Sequence, residues 1–321
     1  MWRRTFAAAV ITGACGWAAA QSYPTHPITL VVGFPPAGGA DAVARIVGER
    51  LSKALGQPVV IDNRPGAGTT LASEVVARAA ADGYTLLLGS DNIYGADQVL
   101  YKNAKYDGVK SFTPITRWAS MPMLLAVRKD FPGQTVQALV QEARNAPGKL
   151  SYSSSGVGIP THLAGLAFAR ATGIEMLHVP FKGGAPSIQA VSAGSVDMTF
   201  GSPASVLPMA QSGKLRVLAV TTAQRSPLFP DLPGMQELGV DGYDFTLWFG
   251  LFGPAGLAPD ITKKLFDASI EALNDAEVRT LLEKQGNEAV PSASPGEFLT
   301  WAMKEGAKHK ELVMRAGVVE Q

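Results

Sequence analysis

The sequence predicts an α/β fold in which mostly parallel sheets are covered by helices and a helical group closes the C-terminal end. Three observations carry this. Short runs rich in β-branched residues alternate with segments of helical periodicity. Most runs end in Gly- or Pro-rich loops, and 34 Gly and 22 Pro in 321 residues supply the turns. The length allows about two domains of ~150 residues, each able to bury a core.

The elements follow in order. ITLVVGF (28–34), held between Pro27 and Pro35-Pro36, reads as a strand. Residues 41–55 place Val43, Ile46, Val47, Leu51, Ala54 and Leu55 on one helical face, and Gly56 stops that helix. A strand at 59–62, a Gly-rich turn at 65–70, a helix at 71–81 and a strand at 85–88 come next. The cycle resumes with a strand at 150–154, a loop at 155–160 and a helix at 161–172, and segments 176–179, 187–193, 196–200, 206–212 and 217–220 continue it. Such a series argues for parallel sheets flanked by helices. Residues 245–252 form one more strand, and helices near 261–273, 276–284 and 295–316 follow with no strand between them.

Residues 113–127 are too long for one ordinary strand and Pro122 interrupts them, so they read as a crossing between lobes; 241–252 is the return crossing. The expected division is a first lobe of 22–123 with 247–321 and a second lobe of 124–246, with a ligand cleft between them.

Charged residues are 17% and apolar residues 46%, which excludes charge-driven disorder. With 28 Lys+Arg against 27 Asp+Glu, the chain offers no broad footprint for nucleic acid or an anionic membrane. The N-terminus carries Arg3-Arg4, an apolar run and Ala18-Ala19-Ala20, the three parts of a signal peptide cleaved after Ala20. The run is too short for a spanning helix. Cleavage removes Cys15, the one cysteine, and leaves 26 basic against 27 acidic residues. Thr12-Gly13-Ala14-Cys15 loosely resembles a lipoprotein processing site, a minor alternative, since Thr12 suits its first position poorly. The expected location is the periplasm.

Several chemistries lack local support. No G-x-S-x-G elbow and no G-x-x-x-x-G-K-[ST] phosphate loop occurs. Gly66-Ala67-Gly68 and Gly156-Val157-Gly158 begin like dinucleotide fingerprints, but Leu71 and Thr161 stand where the third glycine belongs. His26, His162, His178 and His309 form no H-x-x-x-H pair and have no cysteine partner once Cys15 is removed. Neither a metal nor a cofactor is expected, and no paired base and nucleophile can be placed, so an enzyme is not expected. A secreted enzyme using Asp41, Asp91 and Asp197 is the weaker rival, and a sensory or adhesive module with a vestigial cleft is another.

Loops that feed helix N-termini are the positive signal. Phe34-Pro35-Pro36-Ala37-Gly38-Gly39-Ala40-Asp41 lets backbone approach a guest. The first N–H groups of a helix lack internal partners and its end carries partial positive charge, which makes a carboxylate seat without Lys or Arg. Asp41 most simply caps the helix. The loop from Ser153 to His162 repeats the design and adds hydroxyls. In open α/β sheets ligands sit beyond the carboxyl ends of strands, where both loops lie. Asp91-Asn92 falls on the same rim; Asp91 either pairs with a ligand amino group or, more simply, caps a turn. Lys182 reads as a solvated loop charge that Gly183-Gly184 could bring to the cleft. The candidate ligand-binding residues are thus Phe34, Ala37, Gly38, Gly39, Asp41, Asp91, Asn92, Ser155, Gly156, Val157, Gly158, Thr161, His162, Lys182 and Ser202.

An ordered set of short motifs resembles the exported solute receptors of the tripartite tricarboxylate transporter system, the Bug family. These are Pro36-Ala37-Gly38-Gly39 with Asp41, Leu55-Gly56-Gln57-Pro58-Val59-Val60, Asn63-Arg64-Pro65-Gly66-Ala67-Gly68 and Asp82-Gly83-Tyr84-Thr85-Leu86. Pro147-Gly148-Lys149-Leu150, His162-Leu163-Ala164-Gly165, His178-Val179-Pro180-Phe181-Lys182-Gly183, Gly213-Lys214-Leu215-Arg216 and Trp248-Phe249-Gly250 continue the set. The resemblance implies a two-lobed, type II-like periplasmic binding fold that closes on a small organic carboxylate, be it a dicarboxylate, an aromatic acid or an amino acid. It implies the two βα loops as the site, partly through water. It also implies a membrane permease with one large and one small subunit as partner, or a sensor protein. Val157 stands where the family often has Asn, and Asp91-Asn92-Ile93-Tyr94 departs from its commoner small residues.

Overall fold

The computed structural model describes residues 23–95 and 97–315. The signal-peptide reading, Cys15 included, falls outside them.

Strands β1 (Ile28–Val32), β2 (Val59–Asn63) and β3 (Thr85–Ser90) pair in parallel, with Leu30 opposite both Ile61 and Leu86. Helix α1 (Gly39–Leu55) covers them with the stripe Val43, Val47 and Leu51, all fully buried. Burying each such side chain stabilises the fold by roughly 1.5–3 kcal/mol. Helix α2 spans Thr70–Ala77 and stops short of the expected residue 81. At its end Arg78 sits at φ −100° and Ala79 N–H turns to Val76 O at 3.0 Å, a tighter turn that replaces the next α-helical bond. Helix α3 is one turn, Asp97–Leu100.

Strand β4 (Phe112–Pro122) leaves this sheet and β5 (Leu124–Arg128) opens the second, with Met123 alone between them. After α4 (Val136–Asn145) come β6 (Ser151–Ser154), α5 (Pro160–Thr172), β7 (Leu177–Pro180), α6 (Gly184–Ser192), β8 (Met198–Gly201), α7 (Pro203–Gln211) and β9 (Leu215–Val220). Strand β10 (Thr246–Pro254) returns to the first sheet and is buried from Leu247 onward. Helices α8 (Pro259–Asn274) and α9 (Ala276–Lys284), the short strand β11 (Glu288–Ala289) and α10 (Pro295–Arg315) complete the chain.

The sheets run β11-β4-β10-β3-β1-β2 and β7-β6-β8-β5-β9. Both are mixed, where mostly parallel sheets were expected. Their βα portions are parallel, but β5 and β10, which enter from the neighbouring sheet, join antiparallel, and β4 pairs antiparallel with β10. The C-terminal group also contains a strand where none was expected. Glu288 pairs with Ser120 at the edge of β4; two residues are too few for a readable alternation.

Candidate ligand-binding cleft

Loops from both sheets enclose a cavity of about 260 Å³, and a neighbouring one of about 770 Å³ shares Phe34, Pro35, Ser155, Ile159, Lys182 and Gly183 with it. Helices α1, α5, α6 and α7 begin at Gly39, Pro160, Gly184 and Pro203, and their flanking caps Gly38, Ile159, Gly183 and Ser202 all lie on the wall of the smaller cavity. None of the four caps accepts a side-chain hydrogen bond from its helix. Elsewhere Thr135, Asp275 and Ser294 do so for α4, α9 and α10. Four helix starts without side-chain caps, each carrying partial positive charge, therefore converge on one space, although Pro160, Pro186 and Pro203 bring no N–H and the His162 and Ser205 N–H groups bond to Ile159 O and Ser202 O.

The first loop is held from behind. Asp41 lies on the first turn of α1, buried, and accepts from Ala37 N–H at 3.0 Å, Asn63 Nδ2 at 3.0 Å and Arg45 Nε at 2.9 Å. Burial works to raise its pKa, but the bonds from Arg45, Ala37 and Asn63 outweigh burial and keep it below the usual carboxylate range. That grip holds Ala37 at φ +62°, a region non-glycine residues seldom adopt, and leaves Gly38, Gly39 and Ala40 on the cavity wall. Asp41 itself is not on the wall.

The second loop is held by its own residues. Ser155 N–H donates to Thr161 Oγ1 at 3.0 Å, and Gly158 N–H donates to His162 Nδ1 at 3.0 Å. Nδ1 therefore accepts, and His162 is a neutral ring protonated on Nε2. It stacks on His178 at 3.9 Å, which stacks on Tyr152 at 4.9 Å. Burial, and then the His178 ring, push His162 down to about 3; burial pushes His178 down to about 4. His162 is thus a strut under the loop.

The structure brings Phe34, Ala37, Gly38, Gly39, Ser155, Thr161, Lys182 and Ser202 together around the smaller cavity, and Gly156 and Val157 around the larger. Asp41, Asp91, Asn92, Gly158 and His162 line neither. Asp91 and Asn92 correct the expectation of a rim: both have no exposed surface. Asn92 Nδ2 donates to Gly68 O at 2.7 Å and Asp97 Oδ2 at 2.9 Å, and Asp91 Oδ2 lies 3.0 Å from His309 Nδ1 on α10. They turn inward because the residues after β3 form a short helical turn, Asp91–Tyr94, covered by α10.

Sequence reasoning missed three contributions. The starts of α6 and α7 were read three residues late, at 187 and 206 instead of 184 and 203. Pro203 at the first helical position was the available signal. The apolar walls Met121, Leu247 and Phe249 come from the crossing strands. Phe249 packs edge-on against Phe34 at 6.1 Å, and no local pattern marks it as a wall. Tyr101 was also missed: its hydroxyl donates to Val157 O at 3.2 Å, from one side of the gap to the other.

Two mixed α/β sheets, joined by crossings and facing each other across a cavity walled by helix starts, define the periplasmic binding protein fold. The chain belongs to the tripartite tricarboxylate transporter family of receptors, which matches residues 43–318. It is similar to the R. palustris protein Rpa4515, solved with adipate: 35% identity over 93% of this chain and 100% of that one, TM-score 0.87. It is similar to the periplasmic binding protein BugD, at 32% identity over 93% and 100% of the two chains, TM-score 0.84. MatC of Rhodopseudomonas palustris, solved with malate, is 33% identical over 91% and 100%, TM-score 0.83. Family and fold are those of solute-binding receptors.

Proposed function

We propose that this chain captures a small carboxylate in the periplasm and presents it to a membrane transporter. Residues 124–246 and the rest of the described chain act as two lobes that hinge about the crossings. The observation that carries the reading is the convergence of four uncapped helix starts on a cavity whose lining contains no Asp or Glu. A carboxylate placed there receives backbone N–H groups and helix-end potential without a competing anion. Relatives solved with adipate and malate support the ligand class.

Closure is driven by contacts available only when the lobes meet. Tyr101 to Val157 is one, and the approach of Pro35 to Gly183 is another. The closed form docks on a permease with a large and a small membrane subunit, a partner the family implies. Export by the N-terminal signal segment fits this location, and among the described residues no helix is long and apolar enough to cross a membrane.

A thermal-shift panel of small carboxylates tests the proposal. A ligand at ~100 times its Kd adds about 2.7 kcal/mol of stability. A panel in which no carboxylate raises the midpoint contradicts it, and turnover of a bound acid points to the enzyme rival.

A further inference from the structure

We infer that the chain carries a second ligand site, behind the crossing strands, that takes a hydroxylated organic anion with its acid group on Arg117. This goes beyond the receptor reading above. A cavity of about 660 Å³ lies there, within the ~300–1,000 Å³ of small-molecule sites. Strand β10 separates it from the cleft: Leu247 and Phe249 line the cleft, whereas Thr246 and Trp248 line this cavity. Successive strand residues point to opposite faces, so one strand serves both spaces, and they share no lining residue. Strand β4 adds Arg117 and Ser120, and α10 adds Trp301 and His309.

Arg117 is fixed in place and lacks a counter-ion. Its Nε donates to Val290 O at 3.0 Å, and its Cζ lies 4.0 Å from the centre of the Trp301 ring. It is half-buried, and it makes no ion pair within 4.0 Å with any described residue. Burial lowers its pKa, and Glu297, Glu288 and Glu305 offset only part of that. Glu305 is bonded to Lys308 at 2.6 Å, and Glu288 and Glu297 are exposed. With Nε engaged, the terminal amines form the fork that fits a carboxylate or a phosphate, and neither donates to a described residue.

The rest of the wall accepts hydroxyls. Arg117 stands opposite Gly250 and Pro122 opposite Thr246, so Arg117 and the segment 241–246 lie at two ends of the cavity, ~13 Å apart along β10 at ~3.3 Å per residue. Asp241 and Asp244 mark the far end and turn an acid group away from it. His309 contributes a further acceptor. Its Nδ1 is fully buried 3.0 Å from Asp91 Oδ2, so the ring meets the cavity along its Nε2 edge. The carboxylate holds the proton on Nδ1 and leaves Nε2 to accept. An acid at Arg117 followed by several hydroxyls matches this order, as in a sugar acid or a sugar phosphate. An uncharged sugar would leave Arg117 uncompensated, and a bare inorganic anion would leave the acceptors unused.

The test is calorimetry on the mature chain with gluconate, glucose 6-phosphate, glucose and sulfate, repeated on Gly38→Asp, Arg117→Gln and Ser120→Asp beside melting curves. Gluconate or glucose 6-phosphate should bind about tenfold or more tighter than glucose and sulfate, and whichever does so tells carboxylate from phosphate. Its affinity should survive Gly38→Asp, which blocks the cleft. It should fall about tenfold or more in Arg117→Gln and in Ser120→Asp, which puts a carboxylate on the same wall. If Arg117→Gln does not fold, Ser120→Asp, at a partly exposed position, decides alone. The inference is overturned when neither sugar anion binds, when glucose or sulfate binds as tightly, or when either folded variant keeps full affinity. Loss in Gly38→Asp with retention in Arg117→Gln puts the anion in the cleft; the receptor reading then stands and this inference falls.

Discussion

Thr221 and Met123 are hydrogen-bonded twice: Thr221 N–H donates to Met123 O at 2.9 Å, and Met123 N–H donates to Thr221 Oγ1 at 2.8 Å. The same hydroxyl donates to Phe245 O at 2.7 Å, and Phe245 N–H returns to Thr221 O at 2.9 Å. Met123 links β4 to β5 and Phe245 immediately precedes β10, so one buried threonine pins both crossings to the end of β9.

Thr221→Val keeps the shape and removes the hydroxyl. It leaves Met123 N–H and Phe245 C=O without that partner, at about 1–3 kcal/mol for each buried group. Urea unfolding should show a loss of that order. An unchanged midpoint would mean that water replaces the hydroxyl and that Thr221 is no pin.

Tyr101→Phe removes the hydrogen bond that joins the two sides of the cleft mouth. A neutral bond is worth about 0.5–1.5 kcal/mol net, so ligand affinity should fall about two- to tenfold, mainly through faster release. Gly158→Ala should be more severe. Gly158 sits at φ +79° and an added Cβ would lie 2.4 Å from Leu100 Cδ1 in the facing lobe. Stopped-flow release rates equal to wild type in both variants would remove these contacts from the closing mechanism.

Gly38 separates sterics from charge. A Cβ there meets only Pro35 O, at 3.6 Å, and its φ of −96° suits any residue. Gly38→Ala should therefore bind nearly normally, whereas Gly38→Asp sets a carboxylate beside the bound one and should abolish binding with the fold intact. Calorimetry beside a melting curve checks this; full affinity in Gly38→Asp would take the first loop out of the site.

The stacked pair His162 and His178 makes stability fall in mild acid. Their folded values, about 3 and about 4, lie below the ordinary 6.5, so the unfolded chain binds more protons between those limits. Their contribution is complete above pH 6.5 and is lost progressively as the pH falls toward 4 and then 3. Asp97 acts in the opposite sense. Burial, against hydrogen bonds from Tyr106 and Asn92, raises it to about 7, so its contribution erodes as the pH rises from 3.8 through 7. Urea midpoints at pH 7.5 and 5 should therefore show a shallower acid loss in a His162→Gln, His178→Gln double variant and a steeper one in Asp97→Asn. Parallel slopes in all three proteins would contradict the assignment.

Asp41→Asn tests the support of the first loop. Asn keeps one acceptor but loses the charge that Arg45 and two other donors share. Ligand affinity should fall further than stability, because Ala37 then leaves its unusual conformation. In the wild type the same contribution is present above the unfolded value near 3.8 and is lost as the pH falls through the lower folded value.

Strands such as β1 and β3 and the face of α1 were readable because burial there repeats with the period of the backbone. Loops 34–41 and 153–162 were readable because glycine after a strand and before a helix signals close backbone approach. Asp91 and Asn92 misled for the opposite reason. Their place after β3 implies a rim, but the direction in which a short turn points its side chains is set by what covers it, here α10. The late reading of α6 and α7 has the same root, since small residues at a helix start carry no apolar period.

Residue order along the chain was enough to mark an α/β fold of two lobes and two Gly-rich loops before helix starts, because periodicity and glycine placement are local properties; the receptor family came from the resemblance of the ordered motifs. The tertiary fold alone decided which side chains line the cavities. It buried Asp41, Asp91 and His162 as struts, turned Phe249 and Met121 into walls, and left Lys182 as the single charge between two cavities. Those outcomes depend on which distant segment fills the space beside each residue, and that is settled only when both sheets pack around the same gap.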